Sequence, residues 1–184
     1  MNIFPGSDEI LRIIATKKED SPIGIYGSFS KGNREYLVSL KTTLTYEGYN
    51  ARLSENMEKD YPQDPGEKRH AYSLRMSDTL TRESEIHIVF LFHEPEGQHA
   101  INTSACMELK TLYDSLCPRV LVIYESDSLR QCRSMLMGIE EVTKTKLGYS
   151  FWNWHEFTRY DPTQFPADPN LEDVAISYCA RMIR

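Results

Sequence analysis

Apolar positions follow two rhythms along this chain, short unbroken runs and helical stripes, and the two alternate. Ile23-Gly24-Ile25-Tyr26, the longer run Ile86-His87-Ile88-Val89-Phe90-Leu91-Phe92, and Val120 to Tyr124 are the unbroken runs. Continuous apolar character predicts strands buried on both faces, the habit of parallel sheets covered by helices. Tyr49 to Leu53 and the aromatic segment Leu147 to Phe157 are expected to add two further strands. Between them lie the stripes. Leu37, Leu40 and Leu44 sit at i, i+3 and i+7 in a helix expected from Arg34 to Glu47, with Asn33 as its cap and Gly48 as its stop. Helices are likewise predicted over Glu9 to Lys17, Glu67 to Glu83, Ser104 to Leu116, Ser128 to Val142 and Leu171 to Arg184, and a long polar loop after Leu53, from Ser54 to Gly66. Strand and helix in alternation predict a three-layer α/β fold: a parallel sheet of about five strands with helices on both faces.

Composition narrows the class. At 184 residues with a 40% hydrophobic and 26% charged fraction, the chain can bury one full core and reads as a single domain over 1–184. Within it, 1–20 is an N-terminal helical addition, 21–126 the core of the pattern, and 127–184 a C-terminal part with the aromatic strand and last helix. The longest strand-like apolar run is seven residues, against the ~20 a membrane span requires, so no membrane partner is expected. Acids near the start and the lack of a cationic, then apolar, segment predict no secretory signal and a cytoplasmic location. Cys106, Cys117, Cys132 and Cys179 form no CxxC pair and suit reduced thiols. With a net charge of -6 and dispersed Lys and Arg there is no basic stripe, which disfavours a polynucleotide and leaves open a small phosphate-bearing ligand.

In an open parallel sheet the ligand crevice lies beyond the carboxyl ends of the strands. Here that edge is formed by Gly27 to Asn33, Phe92 to Ser104 and the turn after Tyr124. The first loop has glycines only at 27 and 32, so it carries neither GxGxxG nor GxxxxGK[ST]. Glu108, near the start of the helix after the central strand, is the carboxylate expected to share the crevice with the Gly27 to Lys31 loop. An acid there can trap or stabilise the cationic sugar formed in glycosidic cleavage. It can equally be an acid that favours the helix dipole.

Ile23-Gly24-Ile25-Tyr26-Gly27-Ser28-Phe29-Ser30-Lys31-Gly32-Asn33-Arg34-Glu35-Tyr36-Leu37 resembles the opening of Toll/interleukin-1 receptor (TIR) domains, where a strand ending in Ser-Phe precedes a polar loop and an amphipathic helix. Asn102 to Leu112 is similar to the TIR pattern of serine, cysteine and a Glu-Leu pair, which in NAD-cleaving TIR domains contains the catalytic glutamate; the match falls on Glu108. The same segments look like nucleoside 2-deoxyribosyltransferases, which have a flavodoxin-like architecture and a nucleophilic Glu on the equivalent helix. An Asp upstream of the central strand contacts the base in that family, and Asp78 stands in a similar place. Cys106 and Glu108 are separated by one residue where plant-type TIR domains have two, and the transferase run is present as Ser104-Ala105-Cys106-Met107-Glu108.

The resemblance implies an N-glycosyl-bond enzyme acting on NAD or a nucleoside or nucleotide, without metal or organic cofactor, NAD entering only as substrate. Glu108 would be catalytic, Ser28, Phe29, Ser30 and Ser104 would hold the sugar and phosphate side, and Asp78 would touch the base. Its alternative is a non-catalytic TIR-like module that senses a nucleotide or assembles with a protein, including a homo-oligomer. Other constellations are weaker. His93, Glu94, Glu96 and His99 lack a standard metal-ligand spacing, and Cys106 on the buried side of a helix fits core packing better than nucleophilic use. Trp152 and Trp154 suit core or dimer packing, with base stacking as the sharper alternative.

Overall fold

The computed structural model describes residues 16–30, 32–93, 102–126, 128, 152–158 and 170–183. Five strands form one all-parallel sheet in the order β2-β1-β3-β4-β5: β1 is Ile23–Tyr26, β2 Ala51–Leu53, β3 Ile86–Leu91, β4 Val120–Glu125 and β5 Asn153–Phe157. The helices are α1 (Asn33–Tyr46), α2 (Ser54–Met57), α3 (Arg69–Glu83), α4 (Thr103–Asp114) and α5 (Asn170–Met182). This is a three-layer, flavodoxin-like α/β architecture. The chain steps outward from β1 to β2, then crosses back to β3 on the other side of β1, so strand order reverses between β1 and β3. Ligand crevices in such sheets open at that reversal.

Alternation along each strand separates two cores. Ile23, Ile25, Ile86, Ile88, Phe90, Leu121 and Ile123 meet Leu37, Leu40 and Leu44 of α1 and Leu171, Ala175 and Tyr178 of α5. Tyr26, Val89, Leu91, Val120 and Val122 point the other way, against Met76 and Leu80 of α3 and Ala105, Cys106, Leu109 and Leu112 of α4. Each large aliphatic or aromatic side chain so buried contributes about 1.5–3 kcal/mol. Gly48, at φ 85°, takes the left-handed conformation that closes α1, and its N–H reaches the Thr45 carbonyl at 3.0 Å.

Several boundaries depart from the sequence pattern. Asn33 is the first residue of α1 rather than its cap: the Ser30 carbonyl accepts from the N–H groups of Asn33 and Arg34 at 3.1 and 3.2 Å, which leaves the Asn33 side chain free to bond within the loop. β2 starts at Ala51, because Tyr49 turns its ring into the core and Asn50 bonds back to residues 18 and 19. The expected polar loop opens with the single turn α2, since Asn56 Oδ1 accepts the Leu53 N–H at 2.9 Å and Met57 is buried. Residues 16–20 are helical, but the rest of the expected first helix, the helix from Ser128 and most of Phe92 to Ser104 lie outside the described residues.

Candidate active site

Two polar assemblies are built on this frame. One lies at the carboxyl edge. There Ser28 Oγ accepts the Ser30 N–H at 3.2 Å and donates to Ser30 Oγ at 3.1 Å, while Asn33 Nδ2 donates to the same Ser30 oxygen at 2.9 Å. Asn102, just before α4, accepts the Phe92 N–H at 2.8 Å and donates to the Phe92 carbonyl at 2.6 Å. Glu125, buried at the end of β4, accepts the His93 N–H at 2.7 Å. Side chains thus tie the loop after β1 within itself and join the loop end after β3 to the end of β4. Ser28 is buried, whereas Phe29 and Ser30 stand exposed at the rim and Ser104 is exposed in the first turn of α4.

The second assembly lies between the sheet and helices α3 and α4. Glu108 is half-buried as a residue, but its carboxyl group is turned inward towards α3. Oε1 accepts the Ser77 hydroxyl, and Oε2, shielded from water, has no hydrogen-bond partner. Burial pushes this carboxyl up to about 7, and the Ser77 hydrogen bond pulls only partly against it. At neutral pH such a group is close to half ionised, the condition under which a carboxyl can exchange charge during a reaction.

Tyr26 adjoins it. Its hydroxyl lies 3.0 Å from His87 Nδ1, the two rings stack at 5.8 Å, and burial, helped by the Glu108 charge, raises the phenol above its ordinary range against the opposing Thr81 and Ser84 hydroxyls. Burial also pulls His87 down to about 4, so its imidazole is neutral at pH 7. Gly24 makes room for this cluster, because a Cβ there would strike the Tyr26 hydroxyl and meet Ser84 Oγ at 2.8 Å.

The carboxyl edge therefore brings together Ser28, Ser30 and Asn33, and the α3–α4 seam brings together Glu108 and Ser77. Among the described residues no hydrogen bond joins Glu108 to Ser28, Phe29 or Ser30; the link between the two assemblies is Tyr26, which precedes Gly27. Asp78 stands on the outer side of α3, 61% exposed and 3.7 Å from Arg82. Its neighbour Ser77 is the residue that turns to Glu108. Sequence reasoning also passed over Tyr26 and His87; a histidine inside an otherwise apolar buried strand was the available signal, since a buried imidazole requires a polar partner. Trp152 belongs to the core, its Nε1 donating to the Cys117 carbonyl at 3.0 Å, and Trp154 packs partly buried beside it. Among the described residues no group of His, Cys, Asp or Glu is placed to hold a metal ion, and no helix is long and apolar enough to cross a membrane. Glu94, Glu96 and His99 lie outside the described residues.

No protein-family model matches the chain, and no curated protein matches it.

Proposed function

We propose that this protein cleaves or transfers an N-glycosyl bond of NAD or of a nucleoside or nucleotide, with Glu108 as the catalytic carboxylate. The observation that carries the reading is the Glu108 side chain itself: one oxygen tethered by Ser77, the other without a partner, and a proton affinity raised by burial to about 7. Its place on the helix that follows the central strand, beside the strand-order reversal, supports the reading further. In the reaction the bond between C1′ and the base nitrogen breaks and its electron pair leaves with the base. The carboxylate of Glu108 balances or captures the positive charge at C1′. Water, or the nitrogen of a second base, then bonds to C1′, any bond from C1′ to Glu108 breaks with its electron pair returning to the carboxylate, and the proton lost by the incoming group goes to the departed base or, where nicotinamide leaves neutral, to solvent. Ser28 and Ser30 bind the sugar and phosphate side in this reading, and Asp78, exposed on the outer side of α3, takes no part in it.

Glu108→Gln tests it. The substitution keeps size and hydrogen bonding and removes the charge, so turnover should fall at least 10³-fold, about 4 kcal/mol in the barrier, with binding nearly intact. Chromatography of NAD, and separately of deoxynucleosides with a free base, reads released nicotinamide or exchanged nucleoside; equal turnover by wild type and variant would remove Glu108 from the mechanism. The pH profile separates the roles: an ionised nucleophile or cation stabiliser gives activity that rises through pH 7, a proton donor to the base gives activity that falls there.

The second reading is a nucleotide-sensing or protein-assembly module without catalysis. It is favoured by one feature, that among the described residues Glu108 bonds to α3 and not to the carboxyl-edge loop. Wild type that binds nucleotide without turnover, and Glu108→Gln that binds equally, would decide for it.

A further inference from the structure

Hydroxyl side chains line the two helices that enclose Glu108 and the turn after α4, and five of their serines and threonines bond to their own helix. On α3, Ser73 donates to the Arg69 carbonyl at 3.0 Å, Thr79 to Arg75 at 2.8 Å and Thr81 to Ser77 at 3.0 Å. On and just after α4, Thr111 donates to Met107 at 3.1 Å and Ser115 to Thr111 at 3.0 Å. This return to the carbonyl one turn back is the default for serine and threonine inside helices. Ser77 departs from it. Its hydroxyl crosses from α3 to α4 and donates to Glu108 Oε1. The two oxygens of one carboxyl group are thereby made different, one tethered to a neighbouring helix and the other buried without a partner.

We propose that Ser77 is the positioning residue of this site: by holding Oε1 it fixes the carboxyl plane and leaves Oε2 as the oxygen not engaged by the protein. The proposal rests on the glycosyl-bond reading of Glu108. A hydroxyl donor also favours the ionised carboxylate, and it does so where, among the described residues, no cation pairs with Glu108. The titratable and charged groups on the elements packed around Glu108 include Tyr26, His87, Arg75, Asp78, Cys106 and Lys110. Arg75 is engaged by Glu67 at 2.7 Å, Asp78 lies 3.7 Å from Arg82, Lys110 pairs with Asp114, and the Tyr26 hydroxyl is 3.0 Å from His87 Nδ1. Ser77 is therefore the group that opposes burial at Glu108. Positioning matters because misplacing a reacting atom by about 1 Å can cost roughly 100-fold in rate.

The test uses the full chain with ¹³C-labelled glutamate, in wild type, Ser77→Ala and Ser77→Thr, with Glu108→Gln assigning the resonance. The Glu108 carboxyl is titrated by NMR, and turnover of NAD and of a deoxynucleoside with free base is followed across pH. Expected for Ser77→Ala are a higher Glu108 midpoint, the same upward shift in the ascending limb of activity, and kcat lower by roughly 10- to 100-fold with KM nearly unchanged. Ser77→Thr, which restores the hydroxyl, should recover both. If wild type turns over a substrate and Ser77→Ala leaves midpoint and kcat unmoved, the positioning role fails while the glycosyl reading stands. Should wild type turn over neither substrate, the glycosyl reading fails and takes the positioning role with it.

Discussion

The two faces of the sheet bury side chains of different kinds. Under α1 and α5 the layer is hydrocarbon and aromatic ring: Ile23, Ile25, Ile86, Ile88 and Leu40 surround Phe90, Phe92 and Phe157, whose centroids lie 5.6–6.3 Å apart. Under α3 and α4 the same strands present Tyr26 and His87, and α4 adds Glu108. Stability on the first face comes from packing that pH hardly touches below the alkaline range, because its buried titratable groups, Tyr178 and Cys179, are both pushed further above neutrality by burial. On the second face part of it is surrendered to groups held away from their preferred ionisation, the arrangement found where a site, rather than a core, is being built.

If the contrast is real, injuries to the two faces differ in kind. The largest effect on stability is expected from Phe90→Ala on the apolar face, about 3–5 kcal/mol at every pH, because a ring with no exposed surface is removed from among other rings. Urea unfolding at several pH values would measure it, and a loss that varied strongly with pH would erase the distinction.

The second face should show itself through pH. Glu108 goes from an ordinary 4.5 to about 7 on folding, so the folded chain holds this proton more tightly. Stability is then full below pH 4.5 and declines as pH rises towards 7, by of order 1–2 kcal/mol once partial exposure is allowed for. His87 works from the other side. Lowered from 6.5 to about 4, it binds protons more readily unfolded, so stability declines as pH falls from 6.5 towards 4. Between about pH 4.5 and 6.5 the two slopes oppose each other, so the stability of this face is level there and falls off on either side. Glu108→Gln should flatten the alkaline decline and leave the acid one; denaturant midpoints in which both limbs survive the substitution would contradict the assignment.

The smallest effect is expected at Asp78. Asp78→Asn removes only an exposed i,i+4 partner of Arg82, so stability should change by less than about 0.5 kcal/mol and turnover less than twofold. A tenfold loss of activity would return Asp78 to the site.

The residues that make this contrast were unequally legible in the sequence. Strand existence and order of type were plain, because runs such as Ile86 to Phe92 admit few other structures when bounded by amphipathic stripes. Glu108 could be singled out from its helix and its resemblance, but not the direction of its carboxyl. Helix phase decides that, and one residue along a helix is a 100° turn, which is the difference between Asp78 facing solvent and Ser77 facing Glu108. Ser77 itself carried no signal, since a serine within a helix ordinarily bonds to its own backbone. The α1 start was misplaced for a related reason: Asn33 has the chemistry of a cap, and only the folded loop reveals that the Ser30 carbonyl does that work.

The Asn102 side chain has a consequence for how this protein can vary. By satisfying both the N–H and the carbonyl of Phe92, it acts as a staple at the base of the segment between β3 and α4. Entry into α4, and with it the register that aims Glu108 at Ser77, is tied at this staple to the end of β3. A change at the carboxyl end of the central strand can thus reach the Glu108 carboxyl group through a single amide side chain on another element.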